Sequence, residues 1–333
     1  MSSLDLLSLP FDHYQRYTTV AEIADQARAH LGQPHLKLLD VGGFSRIRYG
    51  QAIAPLAHFL PRDHVITVDL VAEPLANYAL ASGLSLPFAQ KAFDVVVSCD
   101  TLEHIPPEGR PTFVDELLRV ANHCLVLIAP FDSEPNRQAE HILQDYLTTR
   151  GLQLQPLREH QELGLPSLEG LRTRLEKDGI GAIDFGDGYL PHWLAMMLIT
   201  LTPGQNQTFY RDLNCYYNRY FSPGDRREPA YRRVFVVAQP GNESLLPALA
   251  SAFRTTATPS VAPDLGFATE LIGLLMQSQP SNPGIDRRLG ALETEMAHLR
   301  QLVAGYEQGR FMRMMRWLHD QRTRLRRWFH DRE

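Results

Sequence analysis

The sequence predicts an α/β fold built on a mostly parallel sheet, and three stretches predict it. Residues 36–41 (Leu-Lys-Leu-Leu-Asp-Val) are a short apolar run, long enough for one buried strand, with Asp40 near its end and Gly42-Gly43 directly after it. Residues 64–69 (His-Val-Ile-Thr-Val-Asp) are a second apolar run that also ends in an acid, Asp69. The separation of Gly43 from Asp69 is that of a βαβ unit. Residues 93–99 hold the unbroken Val95-Val96-Val97, which suits a strand covered on both faces.

A glycine pair at a strand end lets the chain turn tightly and lets a ligand approach the backbone without a Cβ in the way. In open parallel sheets, ligands bind beyond the carboxyl ends of the strands. Asp40, Gly42 and Gly43 therefore read as the floor of a nucleotide-type pocket. Asp69 is spaced to bind ribose hydroxyls. Taken alone, residues 36–43 also fit an ordinary strand and turn. A Gly-x-Gly-x-x-Gly pattern cannot be drawn through residues 42–47, which argues against a nicotinamide dehydrogenase.

With Leu86-Pro87-Phe88 and the run from Phe93-Asp94-Val95-Val96 through Asp100-Thr101-Leu102-Glu103-His104, these segments resemble the class I S-adenosylmethionine-dependent methyltransferases. The likeness is to the group with a Leu-Pro-Phe…Phe-Asp-Val-Val signature before the fourth strand. It covers residues 10–135 by specific motifs and extends more loosely to 240. It implies a Rossmann-like seven-stranded sheet with a reversed last strand and helices on both faces. It also implies S-adenosyl-L-methionine lying across the ends of the first, second and fourth strands. On that analogy Asp40, Gly42 and Gly43 flank the methionine part, and Asp69 and Leu70 sit at the ribose. Ser82, Gly83 and Leu84 lie by the adenine, and Asp100 and Thr101 beside the sulfonium. Two departures stand out. Phe44-Ser45-Arg46 follows where the family usually has a third glycine, and Ser82 stands where it often has an acid.

In chain order, Thr18 and Thr19 offer caps for a helix over 20–31. In the related enzymes such a leading helix covers the cofactor site, so Tyr14, Arg16 and Tyr17 either touch the cofactor carboxylate or only pack. Residues 50–60 have the apolar spacing of a helix between the first two strands. Residues 77–81 form a third strand, 93–99 the fourth, 106–121 a helix and 124–129 a fifth strand. Residues 139–150, 168–178 and 188–201 read as helices, 180–185 as a sixth strand, and 232–238 as the last. The stretch 135–230 reads as an insertion or lid on the acceptor side of a methyltransferase domain spanning 1–240.

Beyond it, residues 241–283 are rich in Pro, Ser, Thr and Ala and read as a linker with one short helix over 265–276. Ile285, Leu289, Leu292, Met296, Leu299, Val303 and Tyr306 repeat at steps of four and three, which predicts a coiled coil over 284–306. Residues 307–333 predict a basic amphipathic helix. Its stretch 310–329 suits an anionic membrane surface, or equally a partner helix.

The chain has 333 residues and a net charge of -5. Eight arginines against three acids give residues 310–333 a net charge of +5, so the remainder carries -10. An acidic body argues against nucleic acid as a partner. No apolar run reaches the ~20 residues of a membrane span, and residues 1–7 lack a basic secretory leader. Cys99, Cys124 and Cys215 have no metal-like spacing, so no metal cluster is expected. The expected location is cytoplasmic, peripheral to the membrane if the tail binds it.

Methyl transfer from a sulfonium needs the acceptor held at attack distance with water excluded. A hydroxyl acceptor also needs a base. His104 lies at the right end of the sheet and is either that base or a structural histidine; His141 is a second candidate. His192 reads as packing. The stretch 135–330 more loosely resembles bacterial methyltransferases of surface-polysaccharide pathways. That likeness implies a sugar hydroxyl as acceptor and self-association or a glycosyltransferase partner through the coiled coil. Tyr189, Trp193, Tyr216 and Tyr217 fit sugar stacking or a plain core. Methylation of another small molecule or a lipid quinone, and a non-catalytic scaffold, are the competing readings.

Overall fold

The computed structural model describes residues 4–47, 51–202 and 207–253. The predicted linker helix, coiled coil and basic helix therefore lie outside the described residues. The described chain begins with helix α1 (Phe11–Leu31) and strand β1 (Lys37–Val41). A small hairpin of β2 (Ser45–Arg46) and β3 (Ala52–Ile53), then α2 (Leu56–Phe59), leads to β4 (His64–Asp69) and β5 (Tyr78–Leu80). Next come β6 (Phe93–Cys99), α3 (Arg110–Val120) and β7 (Ala121–Pro130). The stretch between β7 and β9 holds α4 (Glu134–Thr148), α5 (Gln155–Leu163), α6 (Leu168–Lys177), β8 (Ala182–Tyr189), α7 (Leu190–Thr200) and α8 (Gln207–Tyr220). Strand β9 (Ala230–Ala238) and helix α9 (Leu245–Ala252) close the described part.

Seven strands form one sheet in the order β5-β4-β1-β6-β7-β9-β8. β1 pairs in parallel with β4 on one side and β6 on the other, and β9 runs antiparallel to both β7 and β8. This is the expected Rossmann-like sheet with its last strand reversed. The chain changes direction across the sheet at β1, so the ends of β1, β4 and β6 form the crevice where ligands bind in such sheets.

The valine run shows why the sheet is buried on both faces. Val95 and Val97 pack with Tyr17, Val20, Ile23 and Ala27 of α1, while Val96 packs with Phe113 and Leu117 of α3 on the other face. Each such side chain contributes about 1.5–3 kcal/mol by burial. A third cluster joins Leu143 of α4, Leu157 of α5, Trp193 and Met196 of α7 and Tyr217 of α8. Cys99 and Cys124 are buried on β6 and β7, and all three cysteines are free thiols. Among the described residues no helix is long and apolar enough to cross a membrane.

Several elements differ from the sequence reading. Helix α1 starts at Phe11, well before Thr18. Its first amide is capped from across the chain, with Phe11 N–H donating to Asn214 Oδ1 at 2.7 Å. Thr19 caps nothing; its hydroxyl donates to Asp187 at 2.9 Å. In place of a helix over 50–60 stand β3 and the four-residue α2, because Pro55 opens a new turn, while Ile53, Leu56 and Leu60 supply the buried apolar spacing. Helix α5 was not expected. Finally, the body continues past residue 240, with Leu245, Leu246 and Leu249 of α9 buried against the α1 face of the sheet.

Candidate active site

The crevice is built by three strand ends tied together through the backbone. Gly42 N–H donates to Val68 O at 2.8 Å, and Phe44 N–H donates to Asp69 Oδ2 at 3.2 Å. The glycine loop of β1 and the acid of β4 are therefore direct neighbours. Gly42 has φ of +79°, and a Cβ there would lie 2.2 Å from Thr101 Oγ1. A Cβ on Gly43 would lie 2.0 Å from Asp40 Oδ2, so only glycine lets the loop fold back over that carboxylate.

Asp40 is fully buried, and burial pushes its carboxyl up to about 7. Tyr17 O–H donates to its Oδ2 at 3.3 Å, while Oδ1 is buried with no partner. Asp69 is half-buried and takes Leu70 N–H at 2.7 Å and Val71 N–H at 3.2 Å on Oδ1. With Phe44 on Oδ2, three of its roughly four acceptor positions are used, and one on Oδ2 remains. Leu70 is 73% exposed. Of the six large apolar side chains exposed among the described residues, four (Leu70, Val71, Leu80, Leu84) ring the ends of β4 and β5 and the turn after them. Ser82 Oγ accepts Leu84 N–H at 3.2 Å, shaping that turn, and Gly83 presses against the Phe113 ring.

Asp100, which the resemblance places beside the sulfonium, is already engaged by other side chains. It sits at φ +48° after β6 and is gripped by two buried arginines. Arg232 on β9 donates to both its oxygens, at 2.7 and 2.6 Å, and Arg16 on α1 donates to Oδ2 at 2.7 Å. Arg16 also reaches Asp12 at 3.3 Å. Burial alone would raise the Asp100 carboxyl, but Arg232 and Arg16 hold it below the ordinary range. The network joins α1, β6 and β9 over the crevice with two positive and two negative groups. Even so, Arg16 Nε and Arg232 Nη1 are buried with no partner. His13, also on α1, bridges from Asp12 to Ser45 Oγ of the glycine loop, at 3.1 and 2.6 Å.

Thr101 keeps its hydroxyl 3.1 Å from Cys99 O and 3.4 Å from Val41 O. His104 ends a single 3₁₀ turn, Leu102–His104, and Nδ1–H donates to Glu159 of α5 at 2.7 Å. Burial, together with the neighbouring His160, lowers His104 from the ordinary histidine value. His141 is elsewhere: its side chain is 74% exposed on α4, beside Asp145. The preceding residue, Glu140, is the buried one, and it accepts His160 Nδ1–H and Tyr231 O–H, each at 2.9 Å.

Sequence reasoning missed His160, Glu103 and Arg232, and it expected no metal cluster. The donor atoms of Glu103, His104 and His160 all lie within 4.8 Å of one another. The Arg-Glu-His-Gln-Glu segment of α5 looks solvated. Its one signal is Leu157, three residues before His160 and buried with it on one helix face. The aromatics also fall differently. Trp193 stacks on Tyr231 at 3.6 Å, and both Trp193 and Tyr217 are core residues that cannot stack on a sugar.

Residues 47–123 match a family model described as a methyltransferase domain. Among curated proteins, none matches the chain in sequence. Among solved structures, a magnesium protoporphyrin IX methyltransferase from Synechocystis PCC 6803 with bound SAH is 12% identical, with a TM-score of 0.40 over 68% of this chain and 85% of that one. A plantazolicin methyltransferase in complex with SAH is 11% identical, with a TM-score of 0.42 over 69% and 85%. A possible histamine N-methyltransferase from Thermotoga maritima is 12% identical, with a TM-score of 0.38 over 68% and 94%. The chain carries a methyltransferase domain on a seven-stranded Rossmann-like sheet.

Proposed function

We propose that the protein transfers a methyl group from S-adenosylmethionine to a hydroxyl acceptor. The observation that carries this reading is the pair of buried, unpartnered atoms Asp40 Oδ1 and Arg16 Nε, on groups that both contact Tyr17 beside the glycine loop. Buried polar groups are nearly always paired, so each needs an occupant. An acceptor of one sign and a donor of the other suit the ammonium and carboxylate of a methionine moiety. Tyr17 joins the two sides, since its hydroxyl is on Asp40 and the Arg16 guanidinium lies over its ring at 5.5 Å.

The rest of the cofactor follows the strand ends. The remaining acceptor position on Asp69 Oδ2 takes a ribose hydroxyl. Leu70, Leu80 and Leu84 offer apolar surface to the adenine, with Ser82 and Gly83 beneath. The bare backbone of Gly42 and Gly43 allows close approach, and Thr101 borders it. Once bound, the sulfonium supplies an electrophilic methyl group. The protein's part is to hold the acceptor in line and keep water out. Asp100 acts here as the anchor of Arg16 and Arg232, not as a contact to the methyl group. His104, lowered and therefore neutral near pH 7, can accept the acceptor's proton at Nε2.

The acceptor class we favour is a sugar hydroxyl of a surface glycan. It rests on the resemblance of residues 135–330, now without the support of Trp193 and Tyr217. The tail's proposed contacts, with an anionic membrane or with a partner such as a glycosyltransferase, rest on sequence alone. The test is incubation with tritiated S-adenosylmethionine and crude polysaccharide or lipid extract. Label in polysaccharide supports the glycan reading, label in lipid replaces it, and no label in either overturns methyl transfer to these classes.

A further inference from the structure

Beside this crevice the fold gathers a second set of donors, of which the methyl-transfer reading uses only His104. The turn Leu102–His104 places Glu103 and His104 together just past β6, and α5 brings His160 against them, its ring 5.0 Å from that of His104. Only an N–H can face a carboxylate, so the bonds to Glu159 and Glu140 fix Nδ1 as the protonated nitrogen of each ring. Both Nε2 lone pairs are then available as ligands. Glu103 is 1% exposed and His160 8%, yet Glu103 Oε2 and His160 Nε2 have no partner. Buried polar groups are nearly always paired, so each of these atoms lacks an expected partner.

We infer that Glu103, His104 and His160 form a binding site for one divalent transition-metal cation of the zinc type. Two imidazoles and one carboxylate select a borderline cation over Mg²⁺ or Ca²⁺, which prefer an all-oxygen shell. Glu159 and Glu140, the latter steadied by Tyr231, are the supporting carboxylates that orient metal-bound histidines. Two donors on one tetrahedral Zn²⁺ lie about 3.4 Å apart, so the widest pair here must close by up to about 1.4 Å on binding. His104 Nε2 and Glu103 Oε1 already stand 3.9 Å apart. Three protein ligands leave a coordination position open.

The site adjoins the crevice, because His104 N–H donates to Thr101 O at 3.0 Å. The open position would take an oxygen of the acceptor, in which case His104 is a ligand and not a proton acceptor. That use rests on the methyl-transfer reading; the metal site itself does not.

The test uses the untagged full chain, stripped with chelator and titrated with Zn²⁺ alone and with Co²⁺ alone, without cofactor. Calorimetry should show one Zn²⁺ per chain, and Co²⁺ should give the visible absorption of a nitrogen-ligated ion. Glu103→Gln and His160→Ala should each weaken Zn²⁺ binding by at least about 100-fold, and His141→Ala should leave it unchanged. Circular dichroism checks that the variants fold. Should His160→Ala not fold, the nearly isosteric Glu103→Gln decides. No saturable equivalent, or equal affinity in Glu103→Gln and the parent, overturns the site. Cofactor binding on the same samples separates the two readings. Metal without cofactor sinks methyl transfer alone, and cofactor without metal sinks the metal site alone.

Discussion

Two buried histidines, His192 and His160, are held the same way and face different surroundings. His192 Nδ1–H donates to Asp225 at 2.7 Å, and Asp225 also accepts from Tyr217 O–H. His160 Nδ1–H donates to Glu140 at 2.9 Å, and Glu140 also accepts from Tyr231 O–H. Each is a tyrosine–carboxylate–histidine chain in the third core cluster. Beyond His192 stand the rings of Tyr189, Tyr217 and Phe221, edge-on at 4.9, 6.4 and 5.8 Å. Beyond His160 stand a second histidine and an unpartnered acid. The same local motif serves packing in one place and presents a free lone pair in the other. The contrast teaches that function here is marked by what a buried group leaves unsatisfied, not by residue type.

The strongest way to break that comparison is His192→Ala. It strips the buried Asp225 of one partner, and a loss of about 3–5 kcal/mol in unfolding free energy is expected by denaturant titration. A loss under ~1 kcal/mol would show that the His192 chain is not the scaffold described. Next comes Asp40, whose unpaired oxygen marks the cofactor side. Its carboxyl stands at about 7 in the folded chain against 3.8 in the ordinary state. Stability from this group is therefore full below pH 4 and lost as pH rises to about 7. Asp40→Asn should remove that loss and melt progressively higher than the parent above pH 5, by up to about 4 kcal/mol at pH 8. Over the same window S-adenosylmethionine should bind the parent more tightly as pH rises, because the ammonium needs the ionised carboxylate.

Arg16→Lys keeps a charge near Asp100 but loses Nε. It should weaken S-adenosylmethionine binding by about 1.5–3 kcal/mol, roughly 10- to 150-fold in Kd. Wild-type affinity would remove Arg16 from the site. The smallest effect sharpens the contrast: in chelator, His160→Gln should cost no more than about 1.5 kcal/mol, since Nε2 makes no bond and Glu140 keeps Tyr231. A cost equal to that of His192→Ala would make the two histidines alike.

Much of the fold was legible because strands ending in acids and glycines carry their own pattern. Residues 64–69 and 93–99 are the bounds observed for β4 and β6. The glycine loop does meet the end of β4, through Gly42 N–H on Val68 O and Phe44 N–H on Asp69. What stayed hidden depends on distant partners. The cap of α1 comes from Asn214, the clamp on Asp100 from Arg232, and His160 from a helix with few apolar residues to announce it. His141 lies one position away from Glu140, the residue that α4 turns inward. On a helix, a single step in sequence swings a side chain by about 100°, enough to exchange solvent for core.

The proposed cofactor site joins Asp40, the glycine loop and Asp69. The most direct measurement is calorimetric titration of the full chain with S-adenosylmethionine at pH 8, alongside Asp40→Asn and Asp69→Asn. One site per chain is expected, weakened at least about tenfold in each variant, a loss near 1.4 kcal/mol. No binding at millimolar cofactor, or equal affinity in all three proteins, would contradict the account.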